Sequence, residues 1–356
     1  MGRFNNFLSS DETVFKNHVA LDYDFVPKVI KFRESEQQSI ANCVKPMLHG
    51  RSGRNLIISG TPGIGKTVAV KKIFEEIEED TDQIIPIYVN CWKVNTTYKI
   101  MIEICHQLGY RFTQNKKTTE LIQIAINLMN KSSIVFAFDE IDKAEDFDFL
   151  YIILESVYRR TMFLLTNYSD WITSLDMRIR SRLVAESLNF KSYSKQEVND
   201  ILKERVDLGF YDGVYNSDSF EFVVDRAFLF KDIRTGLYLL KESANCAEDR
   251  SSRIVELDDS KKALDKMDDF KTKKINNLND DLKMVLELVK DNTGKKIGEV
   301  FDIGIKRGLK ISYKTFQRRI KKLTDSGFIK SEIIYGGSEG NSSFLYYNNQ
   351  PTLDDF

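Results

Sequence analysis

The chain has 356 residues, 42% of them hydrophobic, and a formal net charge of −1 at pH 7. That is enough apolar material for a substantial core, at a length where chains divide into two or three domains. No apolar run approaches the roughly 18 residues of a membrane-crossing helix, and the start, Met1-Gly2-Arg3-Phe4-Asn5-Asn6, lacks a signal-peptide core, so a soluble cytoplasmic protein with no membrane partner is expected.

Cys43, Cys91, Cys105 and Cys246 are scattered, with no C-x-x-C pair and no His at zinc-ligand spacing. They are expected as reduced, mostly buried thiols with no metal site of their own. Charge is unevenly divided. Residues 271–347 hold 16 Lys and Arg against 9 Asp and Glu, and the remainder holds 36 against 44. Such a split points to an appended module for a polyanion.

In chain order, residues 1–24 show no clear period and read as an arm. Phe25 to Gln37 lead into an amphipathic helix that runs to about Leu48 and stops at His49-Gly50. The short apolar run Leu56-Ile57-Ile58-Ser59 then meets Gly60-Thr61-Pro62-Gly63-Ile64-Gly65-Lys66-Thr67, and helical periodicity follows from Val68 to Glu79. Strand, glycine-rich bend with G-x-x-x-x-G-K-T spacing, and helix are the parts of a phosphate-binding loop. Its glycines let backbone N–H groups turn inward with no Cβ in the way. On this reading residues Thr61, Pro62, Gly63, Ile64, Gly65, Lys66, Thr67 and Val68 hold the nucleotide. Lys66 reaches the β- and γ-phosphates, and Thr67 holds magnesium.

Ile84 to Asn90 reads as a second buried strand, and Tyr98–Leu108 and Thr119–Met129 as helices around a polar stretch from Gly109 to Thr118. Ser133 to Phe138 is an apolar run that ends in Asp139-Glu140-Ile141-Asp142. A strand ending in solvated acids gives the same pattern. With the phosphate loop upstream, the acids read as its partners: Asp139 on magnesium, Glu140 polarising the attacking water.

The strand Thr161–Asn167 ends in an amide that either orients the same water or makes a turn. The alternate arginines of Asp176–Arg182 are either a solvated face or a cation offered to a neighbouring subunit's nucleotide. Ser187–Phe190 reads as a last short strand. From Ser194 to about Met267 the periodicity is helical, an all-α lid in which Arg234 stands in the first turn of a helix. It is either a surface residue or one that swings to the γ-phosphate.

Asp268 to Asn277 reads as a charged, polar link. Beyond it, helices over Asp281–Lys290, Lys295–Arg307 and Tyr313–Ser326, then strands Phe328–Tyr335 and Ser342–Tyr347 around a flexible tip at 336–341, spell a winged helix-turn-helix. Between Asp302 and Asp325 there is no acidic residue, while Lys306, Arg307, Lys310, Lys314, Arg318, Arg319, Lys321 and Lys322 are basic. Ser312, Tyr313, Lys314, Thr315, Gln317, Arg318 and Arg319 are the candidates for facing duplex DNA, with Phe316, Ile320 and Leu323 as the core stripe. Docking of a protein is the other use of such a domain.

The order of these parts resembles the archaeal initiator family of AAA+ ATPases, the origin-recognition and cell-division-control type replication proteins. The resemblance covers about Phe25 to Tyr347 and rests on FVPKVIKFRESEQQ, GTPGIGKT, IVFAFDEID, the LLTN strand, RIRSRL and the terminal winged helix. It implies an α/β fold with an AAA+ parallel-sheet base over 1–190, a helical lid over 191–270 and a winged DNA-binding domain over 276–350. It implies ATP or ADP with Mg2+ as cofactors. Lys66 and Thr67 match the Walker A pair, Asp139 and Glu140 the Walker B pair, Asn167 the first sensor and Arg234 the second. Arg182, ahead of Arg178, matches the trans-acting arginine, and Val26, Pro27 and Arg33 match the segment that holds adenine.

The insert at 109–119, with Arg111, Lys116 and Lys117, sits where these initiators carry an extra helical element that touches DNA. The family's glycine before the second-sensor Asp-x-Arg is Lys231 here. The implied partners are double-stranded origin DNA, other initiator copies and the replicative helicase, and the implied function is ATP-dependent initiation of replication. A nucleotide-switched transcriptional or plasmid/viral DNA-binding regulator fits the same residues.

Overall fold

The structure is a computed structural model and describes residues 13–276, 280–309, 311–325, 328–337 and 340–347. The expected arm therefore lies outside the described residues up to 12, as does Lys310. Two compact units divide the chain: His18–Arg205, and the residues from Val206 onward together with 13–17.

The first unit opens with α1 (Glu34–Val44), which passes into a 3-10 turn, Lys45–His49, and ends at Gly50 with φ +71°. The helix was expected to run unbroken to Leu48. Pro46 has no N–H for the α-ladder and its ring crowds the preceding turn, so the last turn tightens. Then follow β1 (Leu56–Ser59), α2 (Lys66–Asp80), β2 (Ile84–Asn90), α3 (Thr97–Gln107), α4 (Thr118–Met129), β3 (Ser133–Asp139), α5 (Asp148–Ser156), β4 (Arg160–Thr166), α6 (Met177–Leu183) and β5 (Glu186–Asn189).

The five strands are parallel, in the order β2-β3-β4-β1-β5. Helices cover both faces, which is why β3 is buried at every position. On one face Leu56, Ile58, Val135, Ala137, Phe163 and Leu165 pack with α1 and α2; on the other Ile57, Phe136, Phe138, Met162 and Leu164 pack with α3 to α6. This strand order decides where the chemistry sits. β4 lies between β1 and β3, so the loops after all three converge on one carboxyl edge, where an open α/β sheet binds its ligands.

The second unit is built from α7 (Lys195–Gly209, which begins in the first), α8 (Ser217–Phe230), α9 (Ile233–Asp249) and α10 (Leu257–Asn276). Residues 13–17 join it: Phe15 bridges Phe210, and the Thr13 hydroxyl donates to Glu248 at 2.6 Å. The stretch 268–276, expected as a charged, polar link, is the last part of the 20-residue α10. Lys271, Lys273 and Lys274 are good helix formers, so polarity alone does not break it.

Next come α11 (Asp280–Asp291), the two-residue β6 (Lys295–Lys296), α12 (Ile297–Lys306), α13 (Tyr313–Asp325), β7 (Ile329–Gly337) and β8 (Gly340–Tyr347). The three strands form an antiparallel sheet in the order β6-β8-β7. Leu282, Val285, Leu286 and Val289 of α11 meet Val300, Phe316, Ile320, Leu323, Ile329 and Leu345 in one core, three helices against a small antiparallel sheet, which is consistent with the expected winged helix-turn-helix. The hairpin is longer than expected: Gly337 pairs with Gly340, and of the tip only 338–339 lie outside the described residues.

Candidate nucleotide site and basic helix

The loop between β1 and α2 places its glycines at backbone angles that other residues resist. Gly60, Gly63 and Gly65 have φ of +148°, +71° and +91°. At Gly60 a Cβ would stand 2.5 Å from Ile64 Cδ1 and 2.7 Å from the Phe190 carbonyl oxygen. Only glycine fits there.

Lys66 opens α2, and its side chain is folded inward, 7% exposed. Its ammonium donates to the carbonyls of Gly60 (2.7 Å) and Thr61 (3.0 Å) and to Asn167 Oδ1 (2.9 Å). The last contact joins the end of β4 to the loop after β1, as the strand order requires.

Asp139 closes β3 and is 5% exposed. Three donors meet its carboxylate: Thr67 Oγ1 to Oδ2 at 2.6 Å, the Tyr88 hydroxyl to Oδ2 at 2.7 Å, and the Glu140 N–H to Oδ1 at 3.0 Å. A buried charge needs such partners. Tyr88, on β2, has no place in the sequence reading. Burial, and then the neighbouring Asp139 charge, push its phenol well above the usual tyrosine range, so it stays a donor.

Glu140 itself adopts φ +52°, ψ +45°. A non-glycine residue there costs on the order of 1 kcal/mol, and such strain clusters at functional sites. Two residues on, Asp142 Oδ1 accepts from Thr166 Oγ1 at 2.9 Å, a second tie between the ends of β3 and β4.

Arg33, 4% exposed, lies just ahead of α1 and holds the phosphate loop from behind. Its guanidinium donates to the carbonyls of Ile64 (3.2 and 3.1 Å) and Lys191 (2.6 Å), to Tyr193 Oη (3.1 Å) and to Glu36 (3.0 Å), and lies 4.0 Å from the Tyr193 ring centre. Val26 and the buried Pro27 precede it in an irregular segment.

The three candidate arginines each pair with a nearby carboxylate. Arg182, on α6, donates to Glu155 at 2.8 Å with its guanidinium 5.2 Å from the Tyr151 ring, and Arg178 pairs with the helix-capping Asp176. Arg234 belongs to the second unit, where Asp232 caps α9 through the Arg234 N–H (2.8 Å) and accepts from its guanidinium at 3.3 Å. Just before it, Lys231 closes α8 in the left-handed conformation, φ +54°.

On α13 the core stripe faces inward, and Ser312, Tyr313, Lys314, Gln317 and Arg318 are exposed. Ser312 Oγ accepts from the Thr315 N–H at 3.2 Å, capping the helix. Tyr313 packs edge-on against Phe301. Arg319 is 18% exposed and donates to Asp281 of α11 at 2.5 Å, so part of its charge is neutralised within the domain.

The insert at 109–117 forms a loop with no helix of its own. Arg111, the 80% exposed Phe112 and Lys117 are on its surface, and Lys116 pairs with Glu120. The four cysteines are buried and free. Among the described residues no group of three metal-ligating side chains occurs, and no helix is long and apolar enough to cross a membrane.

A glycine loop feeding a helix, with a buried lysine, a Thr–Asp pair and a strand-end asparagine around it, fits a nucleotide and its hard divalent cation. Thr67 and Asp139 supply oxygen donors, the type magnesium takes. Comparison with known proteins agrees. Residues 49–165 match the profile described as "AAA domain", and residues 199–265 match the "Cdc6 AAA+ ATPase-type lid domain". The chain is thus an AAA+ ATPase with a Cdc6-type lid.

Over nearly its whole length it is similar to archaeal ORC1-type replication proteins. It is 28% identical to ORC1-type DNA replication protein 2 of Methanothermobacter thermautotrophicus, over 96% of this chain and 93% of that protein. ORC1-type DNA replication protein 2 of Methanosarcina acetivorans is 27% identical, over 96% and 95%. Among solved structures, Aeropyrum pernix ORC1 in complex with DNA aligns with a TM-score of 0.73 at 24% identity, covering 96% of this chain and 95% of that one. Aeropyrum pernix ORC2, in its ADPNP-ADP complexes, aligns at 0.67 and 19% identity, covering 96% of each.

Proposed function

We propose that this protein is an ATP-dependent initiator of DNA replication that binds origin duplex DNA and helps to load the replicative helicase. The observation that carries the reading is the single chain joining a phosphate loop, whose lysine is held by Asn167, to a helix that exposes Ser312, Lys314, Gln317 and Arg318. ORC1-type relatives along the whole chain support it.

The chain's own residues divide the work. Lys66 and the N–H groups of Gly63 to Thr67 bind the phosphates, releasing the lysine from the carbonyls and the amide it now serves. Thr67 and Asp139 hold Mg2+, which supplies charge neutralisation on the phosphates. Glu140 orients and deprotonates the attacking water, Asn167 fixes its position, and Arg182 of one copy serves the nucleotide of another. Arg234 takes the second-sensor role. Slow hydrolysis resets the state in which the winged domain meets DNA. Phosphate contacts by Lys314, Arg318 and their neighbours supply affinity, and base-edge contacts by Ser312, Thr315 and Gln317 supply specificity.

Footprinting across the organism's own origin region, with ATP, ADP and no nucleotide, tests this. Protection of the origin, together with an ATP-dependent helicase contact, is the expected result. Protection of promoters alone would instead identify a nucleotide-switched regulator.

A further inference from the structure

We infer that Tyr88 is a positioning residue for the divalent-cation site: its hydroxyl holds Asp139 Oδ2 so that the carboxylate and the Thr67 hydroxyl face the cation as a fixed pair. The inference rests on the nucleotide-binding reading above and names a residue that reading does not use.

The sheet explains how a residue 51 positions away reaches Asp139. β2 runs parallel to β3, with Tyr88 registered on Ala137 and Asn90 on Asp139. Residues in register on parallel strands point to the same face, and side chains two apart along a strand share it, so Tyr88, Ala137 and Asp139 all project toward α2. Ala137 is fully buried and small. Across it the long phenol can lean along the strand direction to the carboxylate one step further on. Asn90, directly opposite Asp139, turns its side-chain oxygen back to the Trp92 N–H (2.9 Å) and the Lys93 N–H (3.2 Å).

Oδ2 therefore takes two hydroxyl donors from two different elements, Thr67 on α2 at 2.6 Å and Tyr88 on β2 at 2.7 Å. With the Glu140 N–H on Oδ1, the carboxylate is held from three directions. Losing the Thr67 donor alone would leave its orientation set. That matters because the threonine hydroxyl must turn its oxygen toward the cation while still donating to Asp139, and a wandering carboxylate would cost the cation one organised partner. The Tyr88 ring is itself seated, with Lys71 Nζ 5.1 Å from its centre.

Tyr88→Phe removes the hydroxyl and keeps the ring. Binding of a fluorescent ADP analogue is measured as Mg2+ is titrated, for the full chain and for Tyr88→Phe, Asp139→Asn and the double variant. For Tyr88→Phe the half-saturating Mg2+ concentration is expected to rise about five- to tenfold, the size of one ordinary hydrogen bond. Affinity in EDTA is expected to stay at the wild-type value, and the thermal unfolding midpoint to fall by no more than a few degrees, about the cost of one buried hydrogen bond. In the Asp139→Asn background the second substitution should shift the Mg2+ midpoint no further, because Tyr88 acts through that carboxylate.

A folded Tyr88→Phe protein with the wild-type Mg2+ midpoint, or effects of the two substitutions that simply add, would overturn the assignment. A wild-type protein whose ADP affinity ignores Mg2+ would overturn both the assignment and the cation site beneath it, and is distinguishable because it appears before any variant is made.

Discussion

Lys66 and Asn167, 101 residues apart in sequence, are joined at 2.9 Å between the loop after β1 and the end of β4. The same ammonium is also bonded to the Gly60 and Thr61 carbonyls. On the proposed function, phosphate oxygens take over some of these contacts when nucleotide binds. Lys66→Ala should lower ADP and ATP affinity at least tenfold, about 1.4 kcal/mol or more. Equilibrium titration checks it, and unchanged affinity would remove Lys66 from the phosphate site.

Glu140 carries the backbone strain of the site, and Gln keeps both its length and its left-handed geometry. Glu140→Gln should retain nucleotide binding and lose turnover by about 10²-fold or more, the size of a general-base contribution. Phosphate release at the wild-type rate would assign the base elsewhere.

Lys231 sits at φ +54° where the related family has glycine. Relief of the Cβ clash is partly offset by the greater freedom of an unfolded glycine, so Lys231→Gly should stabilise the protein by roughly 0.5–1 kcal/mol. Urea unfolding measures it. A destabilised variant would mean the lysine side chain holds the α8 terminus in another way.

On α13, neighbouring arginines should behave differently. Arg318 is exposed, whereas Arg319 is bonded to Asp281. Arg318→Ala should reduce the slope of log affinity against log salt by about 0.9 for duplex DNA. Arg319→Ala should change that slope less. Equal slopes for both variants would show that Asp281 gives up its partner on binding.

Much of this architecture was legible because it is local. A glycine loop, an apolar strand ending in acids and a basic helix with an apolar stripe each fit within about 15 residues, and their periods fix element type. What was hidden depends on sheet order or on packing all round. Tyr88 gains its meaning only once β2 is placed beside β3. Arg33 matches the adenine-holding segment, and what its spacing could not show is that its guanidinium bonds to the Ile64 and Lys191 carbonyls. The nine-residue helix α5, Asp-Phe-Leu-Tyr-Ile-Ile-Leu-Glu-Ser, has no counterpart in the sequence reading, because so short an apolar run does not separate helix from buried strand. Conversely, 268–276 reads as a charged, polar link, whereas it continues α10.

The central claim is that nucleotide in the base governs how the C-terminal domain holds DNA. The most direct measurement is the affinity of the full chain for origin duplex at one fixed salt concentration, in ATP, in ADP and without nucleotide, for wild type and for Lys66→Ala. The account predicts distinct affinities for the ATP and ADP states in wild type, and a single nucleotide-independent value in Lys66→Ala. Identical wild-type affinities in all three conditions would contradict it.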